Sequence, residues 1–423
     1  MNLIISYRIF FICFFCFQLF SFWGCKSNVS PVFESSTLPT NEQLKNSRFA
    51  NFITKLKSLP EKERIILIEK FLNDNSAAPI IEDSILACFY YYSKTSSVQL
   101  NGDMQYGWAK PVEMEVVKCG DENFFYKIYS LPSDARLDYV FNIDGKSIPD
   151  PRNSDKTPSG FGLHSQLAMP LFRQDPIRIT RGAISKGTID SITFTSKKSK
   201  LKPRSLKIYK PSEYDKLSNI PVLYVNDGFK AIEYSSFITI VDNLIADKKI
   251  RPLNIVFIEY IEGDSEYFLN ETEEYLVAVC DELVPFIDKN YKTSHFAKDR
   301  VISGISAGGH VSLLTALKRP DIFLNAAGQS STITTELLTA LSEASLNEKY
   351  RRSLRFYFDV GRFDLISAPN NQTFLYANQK LRDQMKNLGF DYHFNIYNDG
   401  HQWANWRERA DDILVYFFGL NAE

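Results

Sequence analysis

The ten residues VISGISAGGH, Val301 to His310, constrain this chain more than any other stretch. The β-branched run before Ser306 reads as a buried strand, and GGHVSLLTALKRP after it reads as a helix. Ser306 falls on the turn between them, with Gly304 and Gly308 two positions away on either side. A serine on so sharp a turn takes an unfavourable backbone conformation, and those neighbours must lack side chains so that strand and helix can approach closely. The helix then points its N-terminus at the serine. Free backbone N–H groups there, notably that of Ala307, can stabilise an oxyanion. The same spacing also occurs in plain glycine-rich connections, so a base and an acid must be found before the turn implies chemistry.

The surrounding pattern is the one such a turn requires. From about residue 177 to 423, buried strands alternate with helices. ITFTSK and SLKIYKP read as an antiparallel pair, and PVLYVNDG as a buried strand ending in a turn. A helix over 234–247 leads to the strand LNIVFIEY, and ETEEYLVAVCDELVPFIDKNY reads as one long helix. RVISGIS, FLNAAGQS, LRFYFDVG and DYHFNIYND supply further strands, with a helix near 371–388 and a closing amphipathic helix, WANWRERADDILVYFFGL. Alternation of this kind implies a mostly parallel sheet with right-handed crossovers. Residues 77–172 differ: short aromatic and β-branched runs broken by turn residues indicate a small antiparallel, Ig-like sandwich. Residues 41–76 carry apolar positions at helical spacing, with Pro60 opening a second helix, and the Ser/Thr/Pro-rich residues 25–40 read as a tether.

The N-terminus is of another kind. MNLIISYRIFFICFFCFQLFSFWGC carries one charge, Arg8, before an apolar run from Ile9 to Trp23. That run is short for a membrane span and fits the core of a secretory signal, expected over residues 1–24. It ends in Gly24-Cys25 and then a polar stretch, similar to a bacterial lipoprotein cleavage site. Cys25 is therefore the candidate for lipidation, and a periplasmic or cell-surface protein tethered to a membrane is expected. Phe22 and Trp23 are bulky for such a site, so ordinary secretory cleavage and an uncleaved anchor are the competing readings. Beyond Cys25 only Cys88, Cys119 and Cys280 remain, with no metal-ligand spacing. They are expected as buried thiols rather than a disulfide framework. A net charge of −1 gives no electrostatic reason for a nucleic-acid partner.

The chain has five histidines from which to draw a base: His164, His295, His310, His393 and His401. His401 follows the last strand and the turn Asp399-Gly400, at the sheet edge where open α/β folds build their sites. His310 lies four residues past Ser306, inside the helix, and is expected as a pocket wall or core residue. The acid that orients the base should follow a late strand between Ser306 and His401. FYFDVGRFD offers Asp364 on the loop and Asp359 within the strand, with Gly361 expected to end the strand; Asp364 is the first choice. The second oxyanion donor is expected from the turn after PVLYVNDG, the N–H of either Gly228 or Phe229. Trp403 and Trp406, just past His401, either line the substrate pocket or cap the core.

These segments together resemble the esterase family that includes enterochelin esterases, over most of the chain. PVLYVNDG is similar to its oxyanion strand and turn, and ELVPFIDKNY with DRVISGISAGGHVSLLTALKRPDIF to its nucleophile block. DVGRFD and DGHQWANWR are similar to its acid and histidine segments. IIEDSILACFYY, FNIDGKSIPDPRN and LAMP resemble the early-set β-sandwich that often precedes such domains. The resemblance implies Ser306 as nucleophile, Asp364 as acid and His401 as base, on an α/β hydrolase that needs no metal or cofactor. The chain departs in reading GHQW, where many relatives have Asp after the histidine, and in Asn226 before Asp-Gly. Both positions adjoin the pocket and leave the ester open: a siderophore lactone, an acetylated or feruloylated sugar, or a lipid. Acyl transfer on the same fold and a non-enzymatic surface binding lipoprotein are the alternatives.

Overall fold

A computed structural model describes residues 37–420 except 109, 262–265, 269–270 and 368–371. The expected export segment 1–24 and Cys25 lie outside the described residues. Among the described residues no helix is long and apolar enough to cross a membrane.

Three helices come first: α1 (Asn41–Asn46), α2 (Arg48–Ser58) and α3 (Glu61–Asp74). Thr40 caps α1 in a capping box with Gln43, and Ser47 caps α2 by accepting from the Ala50 N–H. The apolar stripe Phe49, Ile53 and Leu56 of α2 packs with Ile68 of α3 onto one face of a sheet. Phe52 stacks on Phe71 at 4.2 Å, and both meet Phe124 edge-on. Each of the fully buried side chains here, such as Phe49, Leu56 and Ile68, contributes roughly 1.5–3 kcal/mol of transfer free energy.

The sandwich strands are β1 (Ile80–Glu82), β2 (Leu86–Ser93), β3 (Gln99–Gly102), β4 (Val112–Glu113), β5 (Glu115–Cys119), β6 (Glu122–Ser130), β7 (Arg136–Ile143), β8 (Lys146–Ile148), β9 (Lys156–Pro158) and β10 (Leu163–Ala168). They form two antiparallel sheets, β1-β2-β6-β5 and β4-β3-β7-β10-β9, with β8 paired to β7. Phe89, Phe125 and Tyr129 of the first meet Leu100, Tyr139 and Phe141 of the second in a shared core. The other face of the first sheet is the one α2 and α3 cover, which explains why β2 and β6 are apolar on both sides. Cys88, Cys119 and Cys280 are buried free thiols.

The remaining strands are β11 (Thr188–Phe194), β12 (Arg204–Lys210), β13 (Val222–Val225), β14 (Asn254–Ile258), β15 (Arg300–Ile305), β16 (Asn325–Gln329), β17 (Arg355–Phe363), the short pair β18 (Ile366–Ser367) and β19 (Gln372–Thr373), and β20 (Asp391–Gly400). The helices are α4 (Gly228–Tyr234), α5 (Phe237–Ala246), α6 (Glu271–Leu276), α7 (Val284–Asn290), α8 (Ala307–Lys318), α9 (Thr335–Ser345), α10 (Glu348–Ser353), α11 (Phe374–Leu388), α12 (Trp403–Arg407) and α13 (Ala410–Phe418). One sheet runs β11-β12-β14-β13-β15-β16-β17-β20, antiparallel at the β11-β12 edge and parallel from β14 onward. Helix α8 packs on one face in a core with Ile302 and Phe356, and α5 and α13 pack on the other with Val301 and Tyr357. The strand order turns back at β13, so the crevice of the fold opens between the carboxyl ends of β13 and β15.

Several local expectations change. The helix expected over 234–247 is α5, Phe237–Ala246, and an unanticipated helix, α4, precedes it and starts directly at the Asp227-Gly228 turn. The long helix expected over 271–291 widens to π geometry over Val277–Leu283. Pro285, just past it, has no N–H for the carbonyl four residues back. The closing helix breaks between Arg407 and Ala410. Gly361 does not end its strand: β17 continues to Phe363 through a register shift against β20. Helices α9 and α10 were not anticipated.

Candidate active site

Ser306 is held at φ 53° and ψ −114°, a left-handed-side conformation costly for a residue with a β-carbon. Backbone bonds sustain it. Its N–H donates to the Gln329 carbonyl at 2.9 Å, and its carbonyl accepts from Thr332 at 3.0 Å and His310 at 3.1 Å. The glycines are steric clearance. A β-carbon on Gly304 would lie 2.4 Å from the Gly308 carbonyl, and one on Gly308 would lie 2.5 Å from Asp227 Oδ2. The turn before α4 therefore packs directly on the elbow. Among the described residues neither α4 nor α8 has a side-chain cap, so the first-turn N–H groups at Gly228, Phe229 and Ala307 lack the side-chain acceptor that often closes a helix start.

Three loops at the carboxyl edge bring Ser306, His401 and Asp364 into one hydrogen-bonded line. His401 Nε2 lies 3.1 Å from Ser306 Oγ, and His401 Nδ1 lies 2.6 Å from Asp364 Oδ1. Asp364 is fully buried. Burial pushes its carboxyl up, but His401, the Ser330 hydroxyl and the Leu365 N–H more than offset this and hold it below the usual carboxylate range. It is thus an anion beside the imidazole. Asp359 lies elsewhere: it pairs with Arg409 at 3.3 Å and accepts from Gln329. The His401 ring stands roughly perpendicular to Trp406 at 4.7 Å and to Phe374 at 5.1 Å between ring centres.

Asp227 is half-buried against the elbow. Burial pushes its carboxyl up to about 7, Glu266 adding to the push and Lys230 opposing it. Protonation there removes a negative charge from beside the place where an oxyanion would form. His310 is fully buried, its ring stacked on Phe268 at 5.0 Å, and burial pushes it down to about 4, so it is neutral at pH 7. Trp403 is buried in the core, one layer out from the histidine, against Trp406 at 5.4 Å and Tyr234 at 6.2 Å. A groove of about 700 Å³ lined by Glu273, Lys318, Arg319 and Tyr350 lies at the far end of α8, roughly 16 Å of helix away from Ser306.

Sequence reasoning missed the buried groups behind Asp364. Arg409, fully buried, lies 3.3 Å from Asp359 and 3.4 Å from Asp399, and donates to Ser330 Oγ at 3.1 Å. Trp406 Nε1 donates to the same oxygen at 3.0 Å. Ser330 is itself strained, at φ 47°. The one sequence signal was Arg409 on the apolar side of an amphipathic helix, where a charge needs a buried partner.

A mixed sheet flanked by helices, with a serine on the turn at its switch point, is the architecture of the α/β-hydrolase esterases. Residues 199–417, just over half of the chain, match the family model described as "Putative esterase", and the chain belongs to that family. An endo-1,4-beta-xylanase/feruloyl esterase of Xylanibacter ruminicola is 33% identical over 201 residues, which cover 44% of this chain and 27% of that protein. The chain thus matches only about a quarter of that relative's length. An uncharacterized protein of Bacillus subtilis, YjcH, is 26% identical over 233 residues, covering 53% of this chain and 95% of that one. Among solved structures, the ferric enterobactin esterase of Salmonella typhimurium superposes with a TM-score of 0.67 at 18% identity, over 82% of this chain and 98% of its own. The enterobactin esterase of Shigella flexneri gives 0.64 at 17%, over 82% and 97%. Similarity at this level establishes the fold. Its extent exceeds the α/β unit alone and so takes in part of the sandwich.

Proposed function

We propose that this chain is a serine carboxylic-ester hydrolase with Ser306 as nucleophile, His401 as base and Asp364 as acid. The observation that carries the reading is the continuous line from Asp364 through His401 to Ser306, drawn from three separate loops. Ser306 Oγ attacks the ester carbonyl while its proton passes to His401 Nε2. Asp364 stabilises the imidazolium and fixes the tautomer. The N–H groups of Ala307 and of the Gly228-Phe229 turn receive the developing oxyanion. Collapse expels the alcohol with the proton from His401, and a water activated by the same ring releases the acid. The "Putative esterase" family match supports the reaction class. The names of the relatives suggest feruloyl esters and enterobactin-type esters as the esters to try first, and the sandwich is read as early-set-like on its sequence resemblance alone.

The test is labelling and turnover together. A fluorophosphonate should modify the chain at Ser306, located by mass spectrometry of the labelled peptide, and the chain should hydrolyse short aryl acetates. A chain that is inert to the probe and to every ester class would rule the proposal out.

Residues 1–24 are read as an export signal and Cys25 as the acylated N-terminus of the mature protein. Mass spectrometry of protein from membranes is expected to find Cys25 first and diacylglycerol-modified. An unmodified start elsewhere would remove the anchor from the proposal.

A further inference from the structure

The sandwich reaches the histidine from both sides. Asp103, between β3 and the turn at Trp108, is almost fully buried, at 1% exposure. Its Oδ1 accepts from Trp108 Nε1 at 2.9 Å. Its Oδ2 accepts from the Asp138 N–H at 2.8 Å and from Asn405 Nδ2 at 3.0 Å. Arg136, held by Asp138 at 2.7 Å, donates to the other end of the same amide, Asn405 Oδ1. Both ends of the Asn405 side chain, four residues past His401, are thus committed to the sandwich. The residue before His401 is committed as well: a β-carbon on Gly400 would lie 2.2 Å from Asp103 Cγ. Only glycine lets the carboxyl approach there.

The acid loop is gripped from the same segment. The Tyr106 carbonyl accepts from the Ile366 N–H at 3.0 Å, two residues past Asp364, and the Tyr106 ring meets Phe363 at 5.5 Å, one residue before it. Asn398 Nδ2 donates to Asp134 at 2.7 Å. Asp364 and His401 stand on loops, whose conformation their own strands do not determine. Ser306, by contrast, is fixed by β15 and α8.

We propose that Asp103 is a positioning residue, and that the sandwich contributes to turnover by holding the histidine and acid loops in register with Ser306. The inference rests on the reading of Ser306, His401 and Asp364 as the reacting groups. Asp103 touches none of the reacting atoms. It acts through Gly400 and Asn405, where a displacement near 1 Å costs up to about 100-fold in rate.

The test uses the full chain, with Asp103→Ala, Asn405→Ala and the double variant. Each folded variant should lose roughly 10- to 100-fold in kcat with KM changed by less than about threefold, since the loss is of alignment and not of substrate contact. The double variant should be no worse than the poorer single, because both break one connection. Gly400→Ala, which drives a methyl into the Asp103 carboxyl, should be equally damaging, and adding Asp103→Ala should not damage it further. Asp103→Asn keeps the shape but sets an amide N–H against either Trp108 Nε1 or Asn405 Nδ2, and carries the same test if the alanine variant does not fold. Folded variants with wild-type kcat, or with an effect on KM alone, would overturn the inference. The underlying reading fails separately, and visibly, if wild-type Ser306 takes no fluorophosphonate.

Discussion

Ser306→Ala is expected to lower kcat for aryl-ester hydrolysis by roughly 10⁵- to 10⁶-fold while leaving the fold intact. The alanine keeps the backbone bonds to Gln329, Thr332 and His310 that sustain the strained turn, and loses only the hydroxyl. His401→Ala should cost about as much, and the two together little more, because nucleophile and base act as one unit. Asp364→Asn should cost about 10⁴-fold. Its amide would present either an N–H to the wrong face of His401 or an oxygen without the charge that steadies the imidazolium. The residual rate would come from the N–H groups at the two helix N-termini. Steady-state kinetics with active-site titration checks all of these. Full activity in Ser306→Ala would exclude the proposed nucleophile.

Arg409→Met is expected to destabilise the protein by about 3–5 kcal/mol, the usual result of removing one partner from a buried ion pair. Arg409 is fully buried, and Asp359 and Asp399 depend on it. Burial pushes both carboxyls up to about 7, and Arg409 opposes the rise in each. The sign of the pH dependence follows. A carboxyl whose folded pKa is raised contributes stability that is fully present below its unfolded pKa and is lost as pH rises through the folded value. Wild-type stability should therefore fall between about pH 4 and 8 on account of this pair. In Arg409→Met the pair loses its cation, so the deficit should be larger at pH 8 than at pH 5. Urea melts at the two pH values measure it, and an equal deficit at both would contradict the assignment. Asp364 has the opposite sign, since it is held low and its stabilising charge is lost only as acid protonates it.

Much of this molecule was legible in the chain because the signals are local. Gly304 and Gly308 around Ser306 announce a turn that only glycine permits. Asp399-Gly400 before His401 places that residue past a strand end; Gly361 reads as ending the strand before Asp364, but β17 runs on to Phe363 and Asp364 follows it directly. The alternation of buried strands and helices identifies the sheet and its parallel sense. Where local signals failed, a non-local partner decided. Asp359 and Asp364 differ little in sequence, and what separates them is that Arg409, 50 positions beyond Asp359, claims the first. Trp403 and Trp406 stand three positions apart and both are buried in one core, yet it is Trp406 whose ring packs against His401.

By itself the sequence determined the strand-turn-helix at Ser306, the candidates Ser306, Asp364 and His401 in that order, and the alternation of strands and helices that builds the α/β sheet. These follow from glycine sterics and from hydrophobic periodicity, which act over a few residues. Only the tertiary structure decided what holds the histidine in place. Asp103 and Asn405 are 302 positions apart, and nothing in either neighbourhood marks them as partners. Their hydrogen bond exists because the sandwich and the α/β sheet bury a carboxyl and an amide against each other, where each must be satisfied by a partner.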